Sequence, residues 1–295
     1  RKDIIEMKVS DYIIKFLEDM NVKYVYGMIG GAATHIFDSL SKSQKIKFIH
    51  CYHEQAASFG ASAISKLSGN LSVVFVTSGP GATNLITGIA DAYFDSSPVL
   101  FITGQVNTYD FKYSLKVRQK GFQEADIVKI VKPITKYSVL VDNPKNIESE
   151  LKKAVSIALS GRKGPVLLDL PLDIQRQMIK VSFPASFRVD IQQNECLVSD
   201  KEIDEILEAI LSSKSPIILA GGGCSASDSR NELLEFAERL NIPVVVSLMG
   251  IDAFPHNHRL FGGFIGAYGN RYANILLAKS DLLIVLGSRL DSRQI

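Results

Sequence analysis

Unbroken apolar runs constrain this chain more than any other feature. Val73-Val74-Phe75-Val76, Val99-Leu100-Phe101-Ile102 and Val166-Leu167-Leu168 carry no polar interruption, and stretches with helical spacing separate them. A strand that is apolar at every position has two faces to bury, so it belongs in a sheet covered by helices on both sides. The alternation runs through the whole sequence. Val9, Ile13, Phe16, Leu17 and Met20 mark one face of a first helix. Strand 24–27, a glycine turn, a helix to Leu40, strand 46–52, helix 54–67, strand 71–77, helix 82–94 and strand 98–103 follow. Beyond a polar stretch come strand 134–141, a helix from about Pro144 to Leu159 and strand 165–170. The fold class is therefore α/β, with two doubly wound parallel-sheet domains, the second incomplete at Ile295.

Residues 1–172 form the first of these domains. Residues 173–200, with Pro184 and Gln192-Gln193-Asn194-Glu195, read as a linker, and residues 201–295 as a second, truncated domain. The second pattern is helix 201–211, strand 216–220, Gly221-Gly222-Gly223, helix 229–240, strand 243–247, a glycine-rich loop at 262–269, helix 270–279 and strand 281–287. Because the pattern stops soon after that strand, further chain, or a separate partner chain, is expected beyond Ile295.

Composition removes some classes of function. Lys plus Arg number 33 against 31 Asp plus Glu, scattered along the chain, which leaves no basic face to track phosphates, so nucleic acid is not an expected partner. No apolar run approaches the ~20 residues that cross a bilayer. The start, Arg1-Lys2-Asp3-Ile4-Ile5-Glu6, lacks the apolar core of a secretion signal, so a cytoplasmic protein without a membrane partner is expected. Cys51, Cys196 and Cys224 are too far apart for metal-ligand spacing and read as packed thiols, and the five histidines do not cluster.

Four places carry candidate chemistry. Ser78-Gly79-Pro80-Gly81-Ala82-Thr83-Asn84 lies between a buried strand and a helix, where α/β folds bind ligands, yet it lacks the lysine of a phosphate loop. It is either a ligand loop presenting Thr77, Pro80 and Asn84 or a plain turn. Gly30-Gly31 permits a close backbone approach or simply opens a helix. Gly221-Gly222-Gly223 lacks the acidic residue that a dinucleotide loop requires downstream. Glu54 stands where strand passes into helix; a carboxylate in a first turn complements the helix dipole, and it is also a candidate acid or base. The loop at 105–121, with Gln105, Asn107, Lys112, Lys116, Arg118 and Lys120, is long for a simple connection.

Taken together, Gly27-Met28-Ile29-Gly30-Gly31-Ala32, His53-Glu54-Gln55-Ala56-Ala57, Val76 to Asn84, Thr87-Gly88-Ile89-Ala90-Asp91-Ala92, Ile102-Thr103-Gly104-Gln105-Val106 and Gly121-Phe122-Gln123-Glu124 resemble, in order and spacing, the thiamine-diphosphate-dependent enzymes of the acetolactate synthase and pyruvate decarboxylase type. The similarity continues through Gly161-Arg162-Lys163-Gly164-Pro165-Val166 to Leu286-Gly287-Ser288-Arg289-Leu290.

The resemblance implies that residues 1–172 bind the aminopyrimidine ring of the cofactor and that Glu54 is the family's obligatory acid. Hydrogen-bonded to ring N1′, such a carboxylate favours the imino tautomer that takes the proton from thiazolium C2. It further implies that Ile29, Gly30, Thr77, Pro80 and Asn84 frame the ring. Gly31 N–H and the Gln123 amide would face the reacting carbonyl, with Phe122 bounding the substrate pocket. The implied activity is decarboxylation of a 2-keto acid, pyruvate first, with acyl transfer to a carbonyl acceptor. Alternatives are transfer to a keto sugar in surface-polysaccharide synthesis, to which Val117 to Glu124 and Ile134-Thr135-Lys136-Tyr137 look closer, and simple decarboxylation. Ile29 also departs from the proline usual in acetolactate synthases. The family's Mg²⁺ ligands belong to a C-terminal domain outside these residues, FAD is conceivable in the middle domain, and a homodimer or tetramer with its site between subunits is implied. The rival classes are a dinucleotide-dependent oxidoreductase and a non-catalytic relative.

Overall fold

The unbroken apolar runs become the centre of a six-stranded sheet. A computed structural model of the chain describes residues 3–183, 191 and 198–292, which divide into units 1–194 and 195–295. In the first unit, β1 (Asp3–Lys8) and α1 (Val9–Asp19) lead into β2 (Tyr24–Gly27), α2 (Thr34–Ser41), β3 (Lys47–His50), α3 (Glu54–Ser68) and β4 (Ser72–Val76). The chain continues through α4 (Pro80–Thr83), α5 (Ile86–Phe94), β5 (Val99–Gln105), α6 (Ile127–Val131), β6 (Tyr137–Leu140), α7 (Ile147–Leu159), β7 (Val166–Pro171), α8 (Leu172–Gln175) and β8 (Met178–Phe183). The sheet order is β3-β2-β4-β5-β7-β6, with every pair parallel.

Alternate residues of one strand enter opposite cores. Val73 and Phe75 pack with Phe16, Ile36, Leu151 and Val155 from α1, α2 and α7. Val74 and Val76 pack instead with Ala57, Ala61, Ile89 and Ile127 from α3, α5 and α6. Phe75 is fully buried, so its truncation to alanine would cost about 3–5 kcal/mol.

Two expectations for this unit change at their edges. Residues 173–183, read as the start of a linker, form α8 and β8, and β8 pairs antiparallel with β1 in a separate two-stranded ribbon. Asp3, Glu6 and Lys8 break up the apolar pattern of β1 and conceal it in the sequence. The expected helix 82–94 is α4 and α5, parted at Asn84-Leu85. The rest of the linker reading, along with Cys196, lies largely outside the described residues. Cys51 and Cys224 are free thiols, half-buried and buried.

In the second unit, α9 (Asp200–Ser212) begins at Ser199, whose side chain and that of Glu202 cap it reciprocally. The chain then forms β9 (Pro216–Ala220), α10 (Gly222–Ala226), α11 (Arg230–Leu240), β10 (Val244–Val246), β11 (Phe261–Phe264), α12 (Arg271–Lys279) and β12 (Leu282–Leu286). Its parallel sheet has the order β11-β10-β9-β12. Both sheets are thus of the expected class. Gly262 and Gly263 lie within β11 rather than in the loop expected there, and the glycine run after β9 is tied to the end of β12: Gly221 and Gly223 N–H donate to the carbonyls of Leu286 and Gly287, at 2.8 and 2.9 Å.

Candidate functional site

The turns that leave β2 and β4, neighbours in the first sheet, grip each other. Ala32 N–H donates to Thr77 Oγ1 at 3.1 Å, and Ala32 carbonyl accepts from Gln175 Nε2 at 2.6 Å. Ala32, next to Gly31, is therefore held through both its N–H and its carbonyl. Gly30 permits the approach: a Cβ there would sit 2.5 Å from Thr77 Cβ. Gly31 is exposed and opens a 3₁₀ turn, Gly31–Ala33, and the first N–H groups of such a turn have no acceptor within it.

Glu54 is the first residue of α3, a helix whose N-cap is His53, its Nδ1 accepting from Gln55 N–H at 3.1 Å. That position gives His53 a structural role and places the Glu54 carboxylate in the positive field of the first turn. Glu54 is 7% exposed, and its Oε2 accepts from Asn84 Nδ2 at 2.9 Å. Asn84 owes its place to the break between α4 and α5. Gly81 completes the cluster, since a Cβ there would lie 3.3 Å from Glu54 Oε1 and 2.7 Å from Thr77 Cγ2. A buried carboxylate with one oxygen held by an amide and the other packed close to Gly81, at the edge of the Thr77 side chain, suits a flat, nitrogen-bearing ring.

A cavity of about 440 Å³ opens next to this cluster, bordered by Gly30, Gly31, Thr77, Gln105, Phe122 and Gln123. Gly30, Gly31, Thr77, Phe122 and Gln123, which the family resemblance singles out, thus line one cavity. Glu54 and Asn84 are not part of that lining and adjoin it at Gly81, between Thr77 and the carboxylate. Pro80 opens α4 and is exposed, as is Ile29, at 60%. Phe122 is 86% exposed at the cavity edge.

The long loop proves to be anchored by residues that sequence reasoning missed. Gln105 Nε2 donates to Asp169 Oδ2 at 2.7 Å and to Ala125 carbonyl at 2.8 Å, tying the loop's start to its end. Asp173 takes both the N–H and the hydroxyl of Thr108, at 2.9 and 2.6 Å. Asp169, also bonded by Thr103 Oγ1 at 2.7 Å, is 1% exposed, and burial pushes its carboxyl up to about 7 against the pull of those hydrogen bonds. The signal was an aspartate inside an apolar strand, Val166-Leu167-Leu168-Asp169-Leu170, where an acid needs dedicated partners.

Comparison with known proteins supplies the family. Residues 7–130 match the thiamine pyrophosphate enzyme N-terminal TPP binding domain, and residues 203–295 the thiamine pyrophosphate enzyme central domain. The chain belongs to the thiamine pyrophosphate enzymes. Among its relatives, the acetolactate synthase large subunit of Corynebacterium glutamicum is 39% identical over 281 residues, covering 95% of this chain and 44% of the relative. The acetolactate synthase isozyme 3 large subunit of Escherichia coli is 39% identical over 286 residues, 96% of this chain and 49% of the relative. The probable acetolactate synthase large subunit of Methanocaldococcus jannaschii is 39% identical over 290 residues, covering 97% and 48%. The chain spans about half the length of the curated relatives it matches. Among the described residues of this thiamine pyrophosphate enzyme, no group of three or more His, Cys, Asp and Glu could hold a metal ion, and no helix is long and apolar enough to cross a membrane.

Proposed function

We propose that this chain supplies the cofactor-activating part of an acetolactate-synthase-like enzyme, which decarboxylates a 2-keto acid, pyruvate first, and passes the acyl unit to a carbonyl acceptor. In this reading residues 1–172 hold the aminopyrimidine ring of thiamine diphosphate and residues 201–295 belong to the middle domain. The observation that carries it is the buried Glu54 carboxylate, fixed through one oxygen by Asn84 and packed with the other close to Gly81, next to the cavity-lining Thr77. When bound, thiamine diphosphate supplies a carbon nucleophile and an electron sink for the substrate carbonyl.

The chain's own residues do the rest. Glu54 holds a proton shared with a ring nitrogen, a role that needs a carboxylate screened from water. The backbone at Ile29 and Gly30, with Thr77, Pro80 and Asn84, would border the ring. Gly31 N–H and the Gln123 carboxamide, both from residues that line the cavity, would donate to the oxygen on which negative charge develops. Phe122 would close the substrate side against water.

The names of the relatives favour acetolactate formation over a keto-sugar acceptor or plain decarboxylation. Mg²⁺ held outside this chain, FAD against the middle domain, a homodimer or tetramer and a cytoplasmic setting complete the proposal. Calorimetric titration of Mg²⁺, flavin absorbance of the purified protein and light scattering check the first three. The decisive experiment follows C2 proton exchange of bound thiamine diphosphate by NMR in the full-length protein. Glu54→Gln should slow exchange by at least about 100-fold, the scale of a lost general acid or base. Exchange at the wild-type rate would sink the assignment, and acetolactate appearing from pyruvate alone would fix the acceptor.

A further inference from the structure

A donor on an exposed loop helps a reaction only if something holds it still, because a misplacement of about 1 Å can cost about 100-fold in rate. Gln123 is such a donor. Its side chain is exposed at the cavity edge and its backbone sits at φ 57°, a left-handed conformation that a residue with a side chain seldom adopts unaided. Two features impose it. On one side Gly79, itself at φ +58°, packs so closely that a Cβ there would stand 2.6 Å from Gln123 carbonyl oxygen. On the other stands Glu124, only 8% exposed.

The Glu124 carboxylate gathers the loop around itself. Oε1 accepts from Lys112 N–H at 3.1 Å, and Oε2 accepts from Lys120 N–H at 2.8 Å and Gly121 N–H at 3.0 Å. The two lysine ammonium groups face elsewhere, Lys112 Nζ to Arg118 carbonyl at 2.9 Å and Lys120 Nζ to Tyr109 carbonyl. What the carboxylate organises is therefore main chain, the segment that ends in Phe122-Gln123. Backbone N–H bonds to an ionised carboxylate are among the stronger kind, and a neutral amide could accept through one oxygen only.

We infer that Glu124 is a positioning residue: by clamping three loop N–H groups it fixes the backbone of Gln123 against Gly79 and aims the Gln123 carboxamide into the cavity. The inference rests on the proposed role of Gln123 toward the reacting carbonyl. Glu124 itself is buried and does not line the cavity. Its effect on catalysis passes through Gln123, which distinguishes it from a residue that merely supports the fold.

The test uses the full-length enzyme loaded with thiamine diphosphate and Mg²⁺, with Glu124→Gln, Gln123→Ala and the double variant. Each single change should lower kcat by about 100-fold, the scale of one lost or misplaced oxyanion donor. Adding Glu124→Gln to Gln123→Ala should cost less than about threefold more, since residues acting through one group are not additive. Multiplicative losses, or full kcat in Glu124→Gln, would overturn the inference. Amide hydrogen exchange supplies a readout independent of turnover: in Glu124→Gln, Lys112, Lys120 and Gly121 should lose protection while β4 and α3 keep theirs. Unchanged protection at those three amides also overturns it. If Glu124→Gln does not fold, Glu124→Asp serves the same comparison, its shorter arm leaving the N–H groups out of reach. Wild-type protein that neither binds thiamine diphosphate nor turns over a keto acid would refute the proposed function instead, while the exchange experiment still judges the clamp.

Discussion

Each parallel sheet of this protein has a glycine-rich turn at the carboxyl end of a central strand, and the two turns do opposite things. After β9, Gly221-Gly222-Gly223 is filled by the chain itself, because Cβ atoms at Gly221 and Gly223 would fall 2.3 and 2.6 Å from the backbone of Gly287. After β4, Gly81 meets side chains, those of Thr77 and Glu54, while Gly79 meets the carbonyl and Cβ of Gln123 in the long loop. Glycine in the first turn brings backbone onto backbone, whereas Gly81 in the second lets Thr77 and a buried acid close on the turn, beside a cavity that Thr77 and Ser78 line. The position that α/β folds reserve for ligands is thus occupied in one unit and open in the other. A glycine count in the sequence cannot tell these apart; the side chains brought to the turn can.

One pair of substitutions would break this comparison, and it carries the largest expected effect. Gly30→Ala puts a Cβ 2.5 Å from Thr77 Cβ, so the Ala32 to Thr77 bond must give way and the cavity wall move. Turnover should fall by about 100-fold or more, the effect of displacing a reacting group by about 1 Å, with a modest change in Tm. Gly223→Ala should do the reverse, lowering stability by about 1–3 kcal/mol through overpacking against Gly287 while the folded fraction keeps its kcat. Thermal melts and steady-state kinetics on both variants check the pair. A catalytic loss without a stability loss in Gly223→Ala would make the second turn a ligand loop as well.

Buried and exposed acids extend the contrast to pH. Asp169 has a carboxyl raised to about 7 by burial in the first unit, so between the ordinary value of 3.8 and that value the folded chain binds a proton that the unfolded chain does not. The sign follows. The destabilisation is absent below about pH 4, grows as pH rises toward 7 and is complete above it, at a slope of up to about 1.4 kcal/mol per pH unit. Asp281, exposed in the second unit, is shifted the other way by donors from Ser213, Lys214 and Ser215, and its contribution is lost only as pH falls through the acid range. Melting temperatures between pH 5 and 8 should therefore decline for the wild type relative to Asp169→Asn, whose amide can still be served by Thr103 and Gln105. Parallel curves would mean that Asp169 is ionised throughout.

Much of the fold was legible because it rests on local pattern. Ser72 to Val76 and Val166 to Pro171 are buried at every position, which is what an unbroken apolar run announces. The ribbon of β1 and β8 escaped notice because its pairing, Asp3 with Phe183 through Lys8 with Met178, joins charged segments at opposite ends of the unit. The site was half legible for a related reason. Glycines and Glu54 stand in recognisable local contexts, and their gathering with Thr77, Asn84, Phe122 and Gln123 was inferred through likeness to a family. The anchors Asp169, Asp173 and Gln175 act across long sequence separations, Asp169 on side chains and the others on backbone groups of other segments, while Glu124 acts on the backbone of its own loop; of the four, only Asp169, an acid inside an apolar strand, is announced by its neighbours.

The smallest expected effect separates the two duties of Thr77. Its hydroxyl accepts the Ala32 N–H at 3.1 Å, and its methyl fills the space that Gly30 and Gly81 leave. Thr77→Val keeps the shape and removes the acceptor, so one neutral hydrogen bond is lost, a net cost of about 0.5–1.5 kcal/mol. Thr77→Ser keeps the acceptor and loses the methyl, at a cost of similar size from a small cavity. If the bond orders the turn, Thr77→Val should weaken thiamine diphosphate binding by about two- to tenfold, the equivalent of that bond, while Thr77→Ser binds within about twofold of the wild type. Isothermal titration with the cofactor and Mg²⁺ reads both. The opposite ranking would mean that the packing of the methyl against the two glycines, rather than the hydroxyl bond between the turns, keeps this strand end open, and the contrast with the filled turn after β9 would then be one of volume alone.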